Sequence, residues 1–392
     1  VSRMGDVVAT EAPSILCVHP NRELYGSDRT FLQSVRALRE RWPAARITVL
    51  LPGPGPLSEP MAEIVEDIRY QDIFVLRRSE FGPQFLLRLP ALIAAMRRAR
   101  RAIAAHDLTY INTVVVLDHL LASRLQRKRV LTHVHELPTG VTRIAFSALL
   151  WLSRSVLVYI SDATRCGFHW LDAKPAVIVW NGTRTVPVLS RGVSAGPLQL
   201  LLIGRFNAWK GQPLLLDALA LLEPEERARL AVRLVGSAYE GQDHFADAIS
   251  DRIERLNLQD CVTVMPFTPD PAEHYRWADV VAVPSTEPEP FGLVAIEAMA
   301  AGCAVVAAGH GGLAEIVVDG VSGTHVPPGN PAALAAAIQR YLADPALAVT
   351  KGRAGQARFA ECFDERLYMR RIADIAATML AGQAPAPIAQ GE

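Results

Sequence analysis

The sequence predicts an α/β protein of two doubly wound, Rossmann-like parallel-sheet domains. Short apolar runs alternate with amphipathic segments along nearly the whole chain. Its 392 residues suit about two domains of ordinary size. Half of the residues are hydrophobic, enough to fill two cores. Strands covered by helices on both faces read as continuous apolar runs, and such runs recur here between helical stretches.

The first domain is expected over residues 1–185. Ser14-Ile15-Leu16-Cys17-Val18 opens it as a strand, followed by a helix from about Asp28 to Arg41 and a strand at Arg46–Leu51. Further strands are expected at Ile73–Leu76, Leu108–Asn112, Val130–Val134, Val156–Ile160 and Ala176–Val179. Between Thr183 and Pro197 the pattern lapses into Thr, Pro, Ser, Gly and Arg, which places the interdomain linker there. Alternation resumes at Leu198–Gly204 and carries the second domain over residues 198–364. Its other strands are expected at Ala231–Val235, Cys261–Met265, Val280–Val283, Ala304–Ala307 and Gly323–Val326. The two domains should face each other across a cleft, with ligands at the carboxyl ends of the strands. A helix from about Glu365 to Leu380 and a loose tail from Gly382 follow.

Net charge is zero, but residues 1–190 hold 24 Lys plus Arg against 16 Asp plus Glu, and residues 191–392 hold 16 against 24. The basic half could dock on the acidic half or meet anionic lipid or an acidic acceptor; a solvated mixed surface explains the same numbers. Cys17, Cys166, Cys261, Cys303 and Cys362 show no zinc spacing and read as reduced, mostly buried thiols. The chain opens Val1-Ser2-Arg3-Met4-Gly5-Asp6 without an apolar signal segment, and its most hydrophobic stretch, Ile144–Ile160, is interrupted by Arg154. A cytoplasmic protein with no membrane span is expected, with the inner face of the cell membrane as one place of work.

The most informative run is Glu289-Pro290-Phe291-Gly292-Leu293-Val294-Ala295-Ile296-Glu297, set between the strand Val280–Val283 and a small-residue helix ending near Gly302. Two carboxylates so placed can hold two parts of one polyhydroxylated ligand, while the amides of Gly292, Leu293 and Val294 at the helix start attract its phosphate. Ile203-Gly204-Arg205 with Lys210-Gly211, Asn181-Gly182, and Gly311-Gly312-Leu313-Ala314-Glu315 accompany it. In these motifs and their order the chain resembles the retaining GT-B glycosyltransferases of the group 1, or family 4, type. The resemblance implies a GT-B fold, a nucleoside-diphosphate sugar as donor, and a last helix, residues 365–380, that crosses back to the first domain.

Departure of a diphosphate from an anomeric carbon requires that charge growing on the phosphate be neutralised. No Asp-x-Asp occurs, so the usual metal clamp is missing, and Arg205 and Lys210, just past a strand end, are assigned to the diphosphate. A metal-independent enzyme without cofactor is expected. Gly26, in Tyr25-Gly26-Ser27-Asp28 ahead of the first helix, is the candidate for backbone contact with phosphate, with plain turn chemistry as the alternative. The resemblance assigns Glu297 to the ribose hydroxyls and Glu289 to the transferred sugar. It also places a histidine near the anomeric centre. His135 is the candidate and His133 the rival, since alternation sends both to one side of the strand, and Glu136 would hold the imidazole or meet the acceptor. Retention in the family is viewed as a front-face displacement with no side-chain nucleophile.

The reading is therefore of a transferase moving a hexose-type sugar from a UDP-, GDP- or ADP-sugar to a hydroxyl of a glycan or lipid-linked acceptor, in cell-surface polysaccharide or glycoconjugate synthesis. A sugar-nucleotide epimerase of GT-B fold and a non-catalytic glycan-binding protein are the alternatives, and no nucleic-acid partner is expected. Arg88–His106, with Arg97, Arg98, Arg100 and Arg101, reads as a basic amphipathic helix that could touch anionic lipid. Arginines on the outer face of an ordinary sheet-covering helix are the commoner explanation.

Overall fold

The computed structural model describes residues 12–76, 87–127, 129–184, 192–193, 196–239 and 241–385. The opening Val1–Asp6 and most of the expected linker lie outside the described residues. The chain divides into two compact units, Val1–Ile160 with Arg165–Val179 and Met369–Glu392, and Ser161–Thr164 with Trp180–Tyr368. The chain thus enters the second unit at Trp180, ahead of the Thr183–Pro197 stretch.

The elements run β1 (Ser14–Val18), α1 (Gly26–Arg41), β2 (Arg46–Leu51), α2 (Ser58–Ala62), β3 (Asp67–Tyr70), α3 (Leu89–Ala104), β4 (Leu108–Asn112), α4 (Leu117–Ser123), β5 (Arg129–Val134), α5 (Gly140–Leu152), β6 (Val156–Tyr159), α6 (Asp162–Cys166) and β7 (Ala176–Ile178). There follow β8 (Leu198–Ile203), α7 (Gln212–Ala220), α8 (Pro224–Arg227), β9 (Leu230–Val235), α9 (His244–Arg255), β10 (Val262–Met265), α10 (Ala272–Trp277), β11 (Val280–Val283), α11 (Leu293–Ala300), β12 (Ala304–Ala308), α12 (Leu313–Ile316), β13 (Gly323–Val326), α13 (Pro331–Ala343), α14 (Ala346–Cys362) and α15 (Glu365–Leu380).

Both sheets are parallel. The first has the order β3-β2-β1-β4-β5-β6-β7 and the second β10-β9-β8-β11-β12-β13. The strand order of each reverses once, between β1 and β4 and between β8 and β11, the places where loops leaving neighbouring strands of a doubly wound sheet part at the carboxyl ends. Two Rossmann-like α/β units are what the alternating pattern predicts, because strands such as Ile15–Val18 and Val280–Val283 are buried on both faces.

The third strand is a correction. It is Asp67–Tyr70, not Ile73–Leu76. As an edge strand it is half exposed and carries Asp67 and Arg69, so it lacks the apolar signal of a buried strand. Phe74 and Leu76 are buried for another reason: they pack into the core of the helical layer, where Val75 makes only an isolated bridge to Val116. Helix α3 forms where the basic amphipathic segment was read. Leu92, Ala95, Ala99 and Ile103 are buried, and Arg97, Arg98, Arg100 and Arg101 are exposed. The Ile144–Ile160 stretch breaks into α5 and β6 around Arg154. All five cysteines are free; Cys17 and Cys303 are buried, while Cys166 is exposed.

Within the second unit, two sequence motifs have structural explanations. An added Cβ at Gly182 would stand 2.9 Å from Glu365 Cα, and Thr183 exchanges backbone hydrogen bonds with Phe363 and Glu365, so the Asn-Gly pair lets the chain lie against the start of α15. The Glu315 carboxylate accepts hydrogen bonds from the amides of Asp162 and Ala163 and from Trp180 Nε1, which fixes the start of α6. Its role is therefore structural.

Gly352 lies inside α14, where alanine would ordinarily stabilise a helix by about 1 kcal/mol. Here a Cβ would stand 2.2 Å from the Gly302 carbonyl oxygen. Overpacking against backbone outweighs the propensity gain, so Gly352→Ala should destabilise the chain by about 2 kcal/mol in urea unfolding. A stabilised variant would contradict this packing.

Candidate functional site

In the second unit the candidates gather at the switch point. β8 ends at Ile203, and the loop from Gly204 to α7 is ordered by Asn207, whose Oδ1 accepts from the amides of Trp209 (3.1 Å) and Lys210 (2.9 Å). Gly211, at φ +86°, closes the loop; a Cβ there would lie 2.3 Å from the Pro284 carbonyl oxygen, so only glycine allows this loop to press on the one after β11. That approach brings Lys210 Nζ to 2.8 Å from Glu289 Oε1. Ser285 donates a second hydrogen bond to the same oxygen.

Glu289 is only 5% exposed, and without a partner its charge would be costly to hold there. Its loop is held from behind by the Gly311-Gly312 turn. The Gly312 amide donates to the Glu289 carbonyl at 2.8 Å, and a Cβ at Gly312 would lie 2.5 Å from Phe291 backbone. Arg205 stacks its guanidinium over Tyr239, 3.2 Å from the ring centroid.

Gly292, at φ +133°, is the N-cap of α11, so the amides of Gly292, Leu293 and Val294 belong to the turn that helix geometry leaves without intrahelical acceptors. Glu297 follows just over one turn on, half buried, and accepts a hydrogen bond from the Tyr275 hydroxyl at 2.7 Å. A half-buried carboxylate and a set of helix-start amides thus lie on the same eight-residue helix, downstream of the Lys210–Glu289 pair.

In the first unit, Gly26 is the first residue of α1, and the Tyr25 amide donates to Asp28 Oδ2 at 2.8 Å in a capping box. His133 and His135 do lie on one side of β5 and its extension, ring centroids 4.3 Å apart. The two differ in depth. His133 is fully buried, 2.6 Å from the Tyr110 hydroxyl, whereas His135 is partly exposed and meets Asn112 Oδ1 through Nε2 at 2.9 Å. Burial and the other imidazoles hold both histidines below their ordinary pKa, His135 down to about 3. Glu136 does not hold an imidazole: its carboxylate accepts from the amides of Val114 and His135, and burial raises its pKa to about 7.

Three residues at the head of the first sheet were missed in the sequence: His19, Asp28 and Asn112, all buried and hydrogen-bonded in series. For His19 and Asn112 the one sequence signal is a polar residue at or just past the end of a central apolar strand; Asp28 lies in the first turn of α1. Lys351, inside α14, is buried and donates to the Gly323 carbonyl and the Thr324 hydroxyl.

Removing Lys210 alone should leave the Glu289 charge stranded. Lys210→Met is expected to cost about 3 kcal/mol in urea unfolding, and adding Glu289→Gln should recover most of that loss. Additive losses in the double variant would show that the pair is not coupled.

Residues 190–358 match the family model of glycosyl transferases group 1. Among curated proteins, the D-inositol 3-phosphate glycosyltransferase of Kineococcus radiotolerans is 40% identical over 185 residues, which is 44% of this chain and 42% of that one. The chain thus matches less than half the length of this relative. Among solved structures, Anabaena Alr3699/HepE in complex with UDP and glucose superposes with a TM-score of 0.77 at 26% identity, covering 93% of this chain and 100% of that chain. Sucrose-phosphate synthase from Thermosynechococcus elongatus does so with a TM-score of 0.73 at 25% identity, covering 95% of this chain and 100% of that one. With its two parallel-sheet units and these superpositions, the chain is a GT-B-fold protein whose residues 190–358 are similar to the group 1 glycosyl transferases.

Proposed function

We propose that the chain is a retaining, metal-independent glycosyltransferase that moves a hexose-type sugar from a nucleoside diphosphate to a hydroxyl of a glycan or lipid-linked acceptor in cell-surface glycoconjugate synthesis. The observation that carries this reading is the Lys210–Glu289 pair at the switch point of the second sheet, with the amide-rich start of α11 and Glu297 beyond it. Lys210 and Arg205 supply two positive charges for the leaving diphosphate, and the Gly292–Val294 amides add a helix-terminus dipole. Glu297 takes the ribose hydroxyls, and Glu289, relieved of Lys210 by the phosphate, orients the transferred sugar. Gly26 adds a backbone contact to phosphate, and His135 meets a sugar hydroxyl.

In the proposed step the bond from the anomeric carbon to the phosphate oxygen breaks. The acceptor oxygen bonds to that carbon on the same face, and its proton passes to the departing phosphate. A UDP-sugar is the first donor to test, because Alr3699/HepE was solved with UDP and with UDP-glucose. The family match and the named relative favour a transferase over an epimerase.

The test is transfer from UDP-, GDP- and ADP-sugars in the presence of EDTA, with nucleotide binding followed by calorimetry. Transfer should persist in EDTA. Glu289→Ala should lower kcat by more than about a hundredfold while nucleotide binding remains. Transfer unchanged in Glu289→Ala, or abolished by EDTA, would overturn the corresponding part of the reading.

The same proposal includes peripheral contact with anionic lipid. Among the described residues no helix is long and apolar enough to cross a membrane. In the first unit α3 packs on α4 and α4 on α5, and α5 exposes Val141, Ile144, Trp151 and Leu152 along one stripe. Between Arg88 and Ile160 the acidic residues are Asp107, Asp118 and Glu136, none of them exposed, while the α3 arginines face outward. An apolar stripe beside a layer without surface carboxylates suits an anionic bilayer. Sedimentation with phosphatidylglycerol vesicles should weaken by more than about tenfold in Ile144→Ser/Trp151→Ser or in Arg98→Ala/Arg101→Ala. Equal sedimentation with phosphatidylcholine vesicles, or no loss in either variant, would contradict it.

A further inference from the structure

At the switch point of the first sheet, β1 and β4 are neighbours, and His19 and Asn112 at their carboxyl ends are fully buried. Asn112 Nδ2 donates to His19 Nδ1 at 2.9 Å. A neutral His19 ring then carries its proton on Nε2, 2.7 Å from Asp28 Oδ1. Burial holds the His19 pKa below its ordinary value, while Asp28 is held low by hydrogen bonds from His19, the Tyr25 amide and Asn21, against its own burial.

With Nδ2 turned to His19, Asn112 presents Oδ1 to His135 Nε2 at 2.9 Å. An amide oxygen only accepts, so Nε2 of the neutral His135 ring bears the proton and Nδ1 bears the lone pair. Among the described residues that Nδ1 has no hydrogen-bond partner. The direction of the whole series is set by the carboxylate. If the Asn112 amide were reversed, His19 would need its proton on Nδ1 and would turn a lone pair toward Asp28, an acceptor facing an acceptor. Thr113, next to Asn112, is held at φ +75°, a strained conformation for a β-branched residue costing about 1–3 kcal/mol and maintained only where its surroundings enforce it.

We propose that Asp28, His19 and Asn112 are positioning residues that hold His135 in its Nε2–H tautomer, so that Nδ1 accepts a hydrogen bond from a hydroxyl of the transferred sugar. This use of His135 rests on the transferase function proposed above. A neutral acceptor selects a sugar with a hydroxyl at that place, and gives nothing to a deoxy sugar or to an acidic group, which cannot donate once ionised. Asp28 also caps α1 through the Tyr25 amide, so the same carboxylate orders the turn carrying Gly26 and the ring of His135.

The test is a long-range ¹H–¹⁵N correlation spectrum of the full chain carrying ring-¹⁵N histidine, with assignments from His135→Gln and His19→Gln. Between about pH 6 and 8 the wild type should show His135 and His19 each as a single Nε2–H tautomer. Asp28→Asn, nearly isosteric and remote from His135, should allow both amide orientations and give a mixed tautomer at His135. It should also lower kcat/KM about tenfold more for the natural sugar than for a deoxy analogue, the effect of one weakened hydrogen bond, since any disturbance of the Gly26 turn falls on both donors alike. A wild-type His135 protonated on Nδ1, or averaging between tautomers, overturns the proposal, and this readout needs no variant to fold. A mixed tautomer in Asp28→Asn with unaltered kcat/KM overturns its use in catalysis. Failure of the transferase reading would appear separately, as absence of transfer by the wild type.

Discussion

Burying the Glu289 carboxylate would cost several kcal/mol were the Lys210 ammonium not 2.8 Å away. The head of the second sheet is built around that requirement. Asn207 orders the loop that carries Lys210, Gly211 permits the close pass against Pro284, and Gly311-Gly312 clamps the loop that carries Glu289. A pair assembled in this way is poised for exchange. Under the proposed function, a diphosphate entering there would compete for Lys210, and the carboxylate it releases would then be available to sugar hydroxyls. One interaction would thereby serve stability in the free chain and selectivity for an anion carrying a sugar.

The first unit handles its buried polar groups differently. There a series of neutral hydrogen bonds runs from Asp28 through His19 and Asn112 to His135, and the charge sits at the far end. Each sheet thus places its chemistry where strand order reverses, since only there do neighbouring loops part and leave room for a ligand. Under the proposed function, charge pairing in one unit would serve the charged leaving group, and tautomer control in the other the neutral transferred group.

Strand identity in the central parts of both sheets was legible because Ile15–Val18, Leu108–Asn112 and Val280–Val283 are buried on both faces and read as apolar runs. The edge strand Asp67–Tyr70 was not, because half-exposed edges mix Asp and Arg with apolar residues. In the candidate site, Glu289, Gly292 and Glu297 could be read together because nine consecutive residues of one loop and helix contain them. The partner of Glu289 lies 79 residues earlier, and Asn112 lies 93 residues from His19, so neither contact leaves a local trace. The structural partners of Glu315 were hidden for the same reason. Its carboxylate answers to amides about 150 residues away, which a Gly-Gly-x-x-Glu pattern does not announce.

The central claim is that Lys210 changes partner when the nucleotide arrives, and a crystal structure of the full chain with UDP tests it most directly. The account predicts the diphosphate between Lys210, Arg205 and the Gly292–Val294 amides, the ribose on Glu297, and the Lys210–Glu289 contact lengthened or lost. UDP bound elsewhere, or bound with Lys210 still paired only to Glu289, would contradict it.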